Sequence, residues 1–234
     1  MDKKILIVDS RIYIESEIKL NELGYKLIKL DKQKGFDEAV SAHPDMFALK
    51  VKDTWFVDSC VNNMFTFADS KTVCIRDDTN GFVYKYPYDI TFNCAGFGNY
   101  LVCNKRHTAN EIIRFAEENG INVINTKQGY AKCSICIVSD NAIITEDEDI
   151  LKNCNSKGID VLKVHKGYVK LYGYNYGFIG GCCGLIEKNI LAFNGNVKKH
   201  PDYKSIKEFC DFHNVDIISL CDKELYDIGS ILRA

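Results

Sequence analysis

Residues 128–164 read QGYAKCSICIVSDNAIITEDEDILKNCNSKGIDVLKV. The run 132–138 is rich in β-formers. Ser139-Asp140-Asn141 then signals a turn, because Asp and Asn side chains bond their own backbone and tolerate left-handed dihedrals. Residues 142–145 make a second strand. From 146 to 156 the chain opens acidic, which suits a helix N-terminus, and Ile150, Leu151 and Cys154 fall on one helical face. Gly158 is the stop, since glycine enters the left-handed conformation freely, and 159–164 make a third strand. The unit is strand, strand, helix, glycine, strand.

Outward from this stretch the unit recurs. A helix, a Gly or polar stop and an alternating apolar strand appear in LNELGYKLIKL, AEENGINVINT, NSKGIDVLKV and DFHNVDIISL, with a degenerate copy in FADSKTVCIRD. The stops fall at Gly24, Ser70, Gly120, Gly158 and Asn214. One supersecondary unit at near-regular intervals marks a repeat architecture.

The first unit has a strand at 4–8, a helix at 12–23 with Ile14 and Ile18 as its packing face, and a strand at 25–30, but no inner strand. The second has strands at 46–51 and 54–57, a poor helix at 62–69, an outer strand at 72–75 and a loop at 76–87 with DDTNG as its turn signal. The third has strands at 90–95 and 100–104, joined by a turn at 96–99. Its helix carries Ile112, Ile113 and Ala116 on one face, with Thr108 as N-cap and Glu111 completing a capping box. The fifth has strands at 182–186 and 190–193, a helix at 202–213 and a strand at 215–220. One piece remains, LYDIGSIL at 225–232, an inner strand with no unit of its own. The economical solution is a single α/β domain over 1–234, a closed five-bladed propeller whose C-terminal strand completes the first unit. Closure leaves no sheet edge exposed.

The totals bound the function. The hydrophobic share is 46% with three prolines, which describes a globular chain. A net charge of −2 without a basic tract excludes an obvious nucleic-acid partner. No apolar run approaches the ~20 residues of a membrane helix, and the apolar core of MDKKILIVDSR is too short for a secretory signal. Eleven unevenly spaced cysteines do not make a disulfide framework. The expectation is a cytoplasmic protein with reduced thiols, most of them buried as small hydrophobes.

Several local motifs fail on their chemistry. The opening ILIVDS…LGYKLIKL…HPDMFALK looks like a response-regulator receiver, but Lys50 stands where the phospho-acceptor would be. GFGNY lacks the third glycine of a dinucleotide fingerprint. Cys133 and Cys136 form a lone CxxC on a strand, where an odd separation points the thiols to opposite faces, so no metal site and no cofactor are expected. His107, His165, His200 and His213 have no thiol or carboxylate pattern around them.

A ring of five such units resembles the pentein fold of guanidino-group-modifying enzymes. These include arginine and agmatine deiminases, dimethylarginine dimethylaminohydrolases and amidinotransferases. GYAKCS, AIITED, GFIGGCCG, HPDYKSIKEF and LYDIGSIL resemble an uncharacterised bacterial family assigned to that fold. The resemblance implies a small guanidinium-containing ligand, a site where the inner strands begin, a Cys nucleophile, a His that moves protons and carboxylates that hold the cation. A noncatalytic binding branch of the fold is the other expectation. The deiminase signatures Ile-His-Cys and His-Leu-Asp are absent; GGCCG is the nearest match to the first.

The inner-strand starts offer His43, Asp45, Asp89, Cys133, Cys182, Cys183 and Asp227. A thiol, an imidazole and carboxylates are the inventory for nucleophilic attack with acid–base help and for recognition of a guanidinium. Cys133 is the expected nucleophile, standing alone between a flexible turn and a strand with Lys132 beside it. His43 is the expected acid–base, Asp45 and Asp227 the cation holders, and Asp89, Cys182 and Cys183 further binding residues. Cys133 reads equally as a buried structural cysteine, His43 reads more readily as a surface histidine, and at least one of Cys182 and Cys183 reads more readily as packing.

Overall fold

The computed structural model describes residues 4–65, 67, 71–75 and 84–234. The expected stop at Ser70 and the DDTNG turn lie outside the described residues. In chain order the elements are β1 (Ile5–Asp9), α1 (Ile14–Glu22), β2 (Lys26–Leu30), β3 (Ala48–Val51), β4 (Thr54–Asp58), β5 (Lys71–Ile75), β6 (Ala95–Phe97), β7 (Tyr100–Cys103), α2 (Asn110–Glu118), β8 (Asn122–Asn125), β9 (Ile135–Ser139) and β10 (Ala142–Thr145). They continue with α3 (Glu148–Asn155), β11 (Asp160–Lys163), β12 (Cys183–Glu187), β13 (Ile190–Phe193), α4 (Tyr203–Phe212), β14 (Asp216–Ser219) and β15 (Leu232–Arg233). Short 3-10 turns lie at Pro44–Met46, Asn62–Met64 and Val197–Lys199.

These strands make five three-stranded sheets, β15-β1-β2, β3-β4-β5, β6-β7-β8, β9-β10-β11 and β12-β13-β14. In each sheet the middle strand pairs antiparallel with the inner strand and parallel with the outer one. Pairing of Leu6 with Arg233 and Ile7 with Leu232 makes the C-terminal strand the inner strand of the first sheet. The inner strands touch in the order β3, β6, β9, β12, β15. All five line a cavity of about 260 Å³. Among the described residues no helix is long and apolar enough to cross a membrane.

The repeat is clearest at the helix ends. Gly24, Gly120, Gly158 and Asn214 have φ of 85°, 67°, 77° and 57°. The next residue in each case bonds back to the last turn: Tyr25 N to Leu20 O, Ile121 N to Ala116 O, Ile159 N to Cys154 O and Val215 N to Cys210 O, at 2.8–3.2 Å. This is a Schellman closure, in which the residue after the left-handed position also packs apolar surface. Tyr25, Ile121, Ile159 and Val215 are all buried. Each leads directly into an outer strand.

Three local expectations are corrected. Ile14 and Ile18 are 72% and 52% exposed, and α1 buries Ser16 and Leu20 instead; the packing face lies two positions on, about 200° round, on nearly the opposite side of the helix. Thr108 is not the α2 cap: its hydroxyl donates to Asn104 O at 2.9 Å, and the helix starts after Ala109 without a side-chain cap. In the acidic run 146–149, Asp147 is the N-cap of α3, accepting from Asp149 N and Ile150 N, while Glu146 stays outside the helix.

Inner strands begin later than periodicity predicts. The expected strand at 90–95 reduces to Ala95–Phe97, that at 132–138 starts at Ile135, and of 225–232 only the last residue is strand. The residues displaced from these strands form the site.

Candidate active site

Asn93, Cys133, Gly181 and Ser230 each precede their inner strand by two residues, and Asp45 precedes β3 by three. These equivalent positions converge. Asn93 Nδ2 donates to Asp45 Oδ1 at 3.2 Å, and Asn93 Oδ1 accepts from Lys132 N at 2.8 Å. Gly181 N donates to Cys133 O at 2.8 Å, Ser230 N to Gly181 O at 2.8 Å, and Asp45 N to Gly229 O at 3.2 Å. The bonds pass through all five units, so polar groups that a longer strand would pair with a neighbour are satisfied across the hub.

At its centre Cys133 Sγ donates to Asp45 Oδ2 at 3.1 Å and accepts from Asn93 Nδ2 at 3.2 Å. Ser230 Oγ donates to Asp45 Oδ2 at 2.8 Å and accepts from Lys132 Nζ at 2.8 Å. Burial drives the Cys133 thiol well above its ordinary range, and the Asp45 and Asp227 charges push the same way. Burial also raises Asp45, opposed by Lys132 and by its hydrogen bonds.

His43, at the start of the Pro44–Met46 turn, is 1% exposed, so the surface reading is corrected. Its Nδ1 lies 3.8 Å from Asp227 Oδ1 and its Nε2 3.8 Å from Asp9 Oδ2. Both separations exceed hydrogen-bond reach, and Nδ1 has no partner. Arg11 holds Asp9 through two bonds from Nε at 2.9 and 3.1 Å. Burial, assisted by the Arg11 charge, lowers His43 to about 3, so the ring is neutral near pH 7. Gly229 makes this approach possible. Its φ is +62°, and a Cβ there would lie 2.1 Å from His43 Cβ.

Asp227 accepts from Phe178 N at 2.9 Å and from Gly229 N at 3.0 Å. Burial raises it to about 7 against those two bonds, with Asp45 adding to the rise. A Cβ at Gly181 would lie 2.0 Å from Asp227 Oδ1, so the glycines of GFIGGCCG let the chain close around this carboxyl.

His43, Cys133 and Asp227 line a cavity of about 290 Å³ whose other walls include Tyr130, Tyr174, Tyr176 and Phe178. His43, Asp45 and Cys133 offer ligand atoms within 4.8 Å of one another, the one such group among the described residues that could hold a metal ion. A metal there would have to displace the proton that Cys133 donates to Asp45.

Of the residues expected in the site, the structure brings together His43, Asp45, Cys133 and Asp227. Asp89 stands behind the wall, accepting from Tyr130 Oη at 2.9 Å. Cys182 and Cys183 lie apart from this cavity. Both thiols donate to Ile179 O, at 3.1 and 3.3 Å, and both belong to the core between the fourth and fifth sheets. Sequence reasoning missed Asn93, Ser230, Asp9 and Arg11. TFNCAGF and DIGSILRA, set in register with AKCSICIV two residues before the inner strand, place Asn93 and Ser230 beside Cys133. Glu146 was read only as part of an acidic turn. Burial and the Asp227 charge raise it to about 8, against a backbone contact with Ile179.

The fold is that of the pentein superfamily of guanidino-group-modifying enzymes. Over 94% of this chain and 92% of the other, it superposes on a dimethylarginine dimethylaminohydrolase of Pseudomonas aeruginosa, a cysteine-to-serine variant complexed with citrulline, with a TM-score of 0.58 at 10% identity. It superposes on an agmatine deiminase of C. jejuni with a TM-score of 0.53 at 12% identity, over 94% of this chain and 87% of that one. The chain belongs to a family of unknown function, DUF6873, whose model matches residues 7–232. It is also 30% identical over 152 residues to UDP-N-acetylenolpyruvoylglucosamine reductase of Staphylococcus epidermidis, covering 60% of this chain and 47% of the reductase. The chain thus spans about half the length of the curated relatives it matches.

Proposed function

We propose that the protein is a cysteine-dependent hydrolase or amidinotransferase acting on a small guanidine-like cation. The convergence of Cys133, His43 and Asp227 at one aromatic-walled cavity, with Asp45 bonded to Cys133 behind it, carries this reading. A planar cation stacks on the aromatic rings, and its N–H groups match the carboxylates of Asp227 and Asp45. The resting thiol is protonated. Two of the forces that keep it so are the charges of Asp45 and Asp227. A guanidinium bound to both carboxylates offsets those charges and brings the thiol down. The released proton goes to Asp45 or to the neutral His43. Sulfur attacks the guanidinium carbon, one nitrogen leaves as an amine with a returned proton, and a thiouronium remains for water or a second amine. The hub bonds through all five units support a further part of this reading, that the sheets close into a five-bladed propeller around the channel.

Chloroacetamidine, an amidine-bearing alkylating agent, tests the reading when its adducts are located by peptide mass mapping. Labelling of Cys133, slowed by agmatine or arginine and lost in Cys133→Ser, is expected. Labelling confined to the exposed Cys60 and Cys74, or none, would leave a noncatalytic binding protein as the better account.

A further inference from the structure

The cavity lined by the five inner strands lies away from the aromatic pocket, and the two share none of their lining residues. Its cations are Lys50, Lys132 and Arg233, and its single carboxylate among the described lining residues is Asp140, which is exposed. Lys132 is 9% exposed, and its ammonium makes one hydrogen bond among the described residues, to Ser230 Oγ at 2.8 Å. An ammonium carries three donors, so two remain to be satisfied in a nearly buried position.

Lys50 forms no ion pair among the described residues; its Nζ sits over the Trp55 ring, 5.6 Å from the centroid. Burial lowers the Lys50 ammonium, and the like charge of Arg233 lowers it further against the pull of Asp53. Arg233 has a partner, Glu187 at 3.0 Å, but Glu187 also holds Lys4 at 2.8 Å. The remaining lining is largely apolar side chain from Leu49, Phe97, Ile137 and Leu185. Lys132 faces the buried Asp45 and Asp227 on its hub side and Arg233 shares Glu187, so the three cations exceed the carboxylates that meet them within the cavity, and low-dielectric walls around such positive charge concentrate an anion-attracting field.

We propose that this channel binds a small oxyanion, a phosphate or carboxylate, between Lys132 and the Lys50–Arg233 pair. The proposal does not rest on the cysteine chemistry, because none of these three side chains lines the aromatic pocket. A free phosphate and the carboxylate of an organic acid share the recognition chemistry, and the ligand arms of the experiment separate them. Of the other exposed features, the Ile14–Ile18 face of α1 offers no comparable set of donors.

Trp55 is the chain's single tryptophan and lines this cavity, so its fluorescence reads the site locally. The full chain is titrated with inorganic phosphate, with acetate and with chloride at constant ionic strength. A saturable change in Trp55 emission with phosphate or acetate, absent with chloride, is expected. Lys50→Gln and Arg233→Gln should each weaken it by roughly tenfold or more, the usual consequence of losing one charge-assisted hydrogen bond. Lys50→Arg and Arg233→Lys should retain it. No saturable change with either oxyanion, the same change with chloride, or equal loss in the charge-retaining and charge-removing variants would overturn the proposal.

Discussion

Replacing Asp227 by Asn should reverse the sign of its effect on stability as pH rises. Asp227 accepts one backbone N–H on each oxygen, from Phe178 and Gly229. Asn has a single carbonyl, so one of those donors would face an amide NH₂ and lose its acceptor. That costs about 1–3 kcal/mol in a buried setting. The carboxyl itself titrates at 3.8 when unfolded and at about 7 when folded. Between those values the folded state binds more protons than the unfolded state, so wild-type stability falls with rising pH in this window. The loss accumulates to about 4 kcal/mol by neutral pH. At pH 4 the Asn variant should therefore be less stable than wild type by about 1–3 kcal/mol, and at pH 8 more stable by a similar margin. Any relief felt by the neighbouring Asp45 and Glu146 works in the same direction, since the Asp227 charge raises Glu146 and couples to Asp45. Urea denaturation of both proteins at several pH values measures the difference. Two parallel stability curves would show that Asp227 is not a buried, proton-retaining carboxyl, and its role as the carboxylate that meets a cation would lose its physical basis.

His43 has the opposite linkage: its folded value of about 3 lies below the ordinary 6.5, so its contribution grows as pH rises through that window and should vanish from the pH profile of His43→Gln. Gly229→Ala adds a Cβ 2.1 Å from His43 Cβ at a φ of +62°, and thermal melting should show a loss of several kcal/mol, at the severe end of single substitutions. Asn93→Ala leaves the Lys132 and Cys133 amides and the Asp45 carboxyl without their shared partner and should cost about 2–4 kcal/mol in denaturant titration; a cost near zero would mean the hub bonds do not matter to stability. Truncation before Leu225 removes the buried Leu225, Ile228 and Ile231 together with β15, and is expected to abolish cooperative melting; an unchanged transition would refute the view that the terminal strand completes the first sheet.

The repeat was legible because its marks are local. A glycine or asparagine must end each helix in the left-handed region, and a buried apolar residue must follow it. Gly24, Gly120, Gly158 and Asn214 announce this without any knowledge of the fold. The need of LYDIGSIL for a partner was legible in the same way, since the first unit lacked an inner strand. Cys133, His43, Asp45 and Asp227 could be named as candidates because chemistry-bearing residues stood where strands were about to start. What periodicity could not supply was where those strands do start. A strand's apolar alternation continues into a buried loop, because both are apolar and both are short. Ile90, Phe92 and Cys94 therefore read as strand although they turn beneath the hub. Nor could sequence decide which polar residues meet. Asp45 and Ser230 are 185 positions apart and share a hydrogen bond, and Cys182, one position from the hub glycine Gly181, faces the core instead. Partnership across such separations is fixed by the packing of five sheets, and the shifts of Cys133, His43 and Asp227 follow from the burial that this packing imposes.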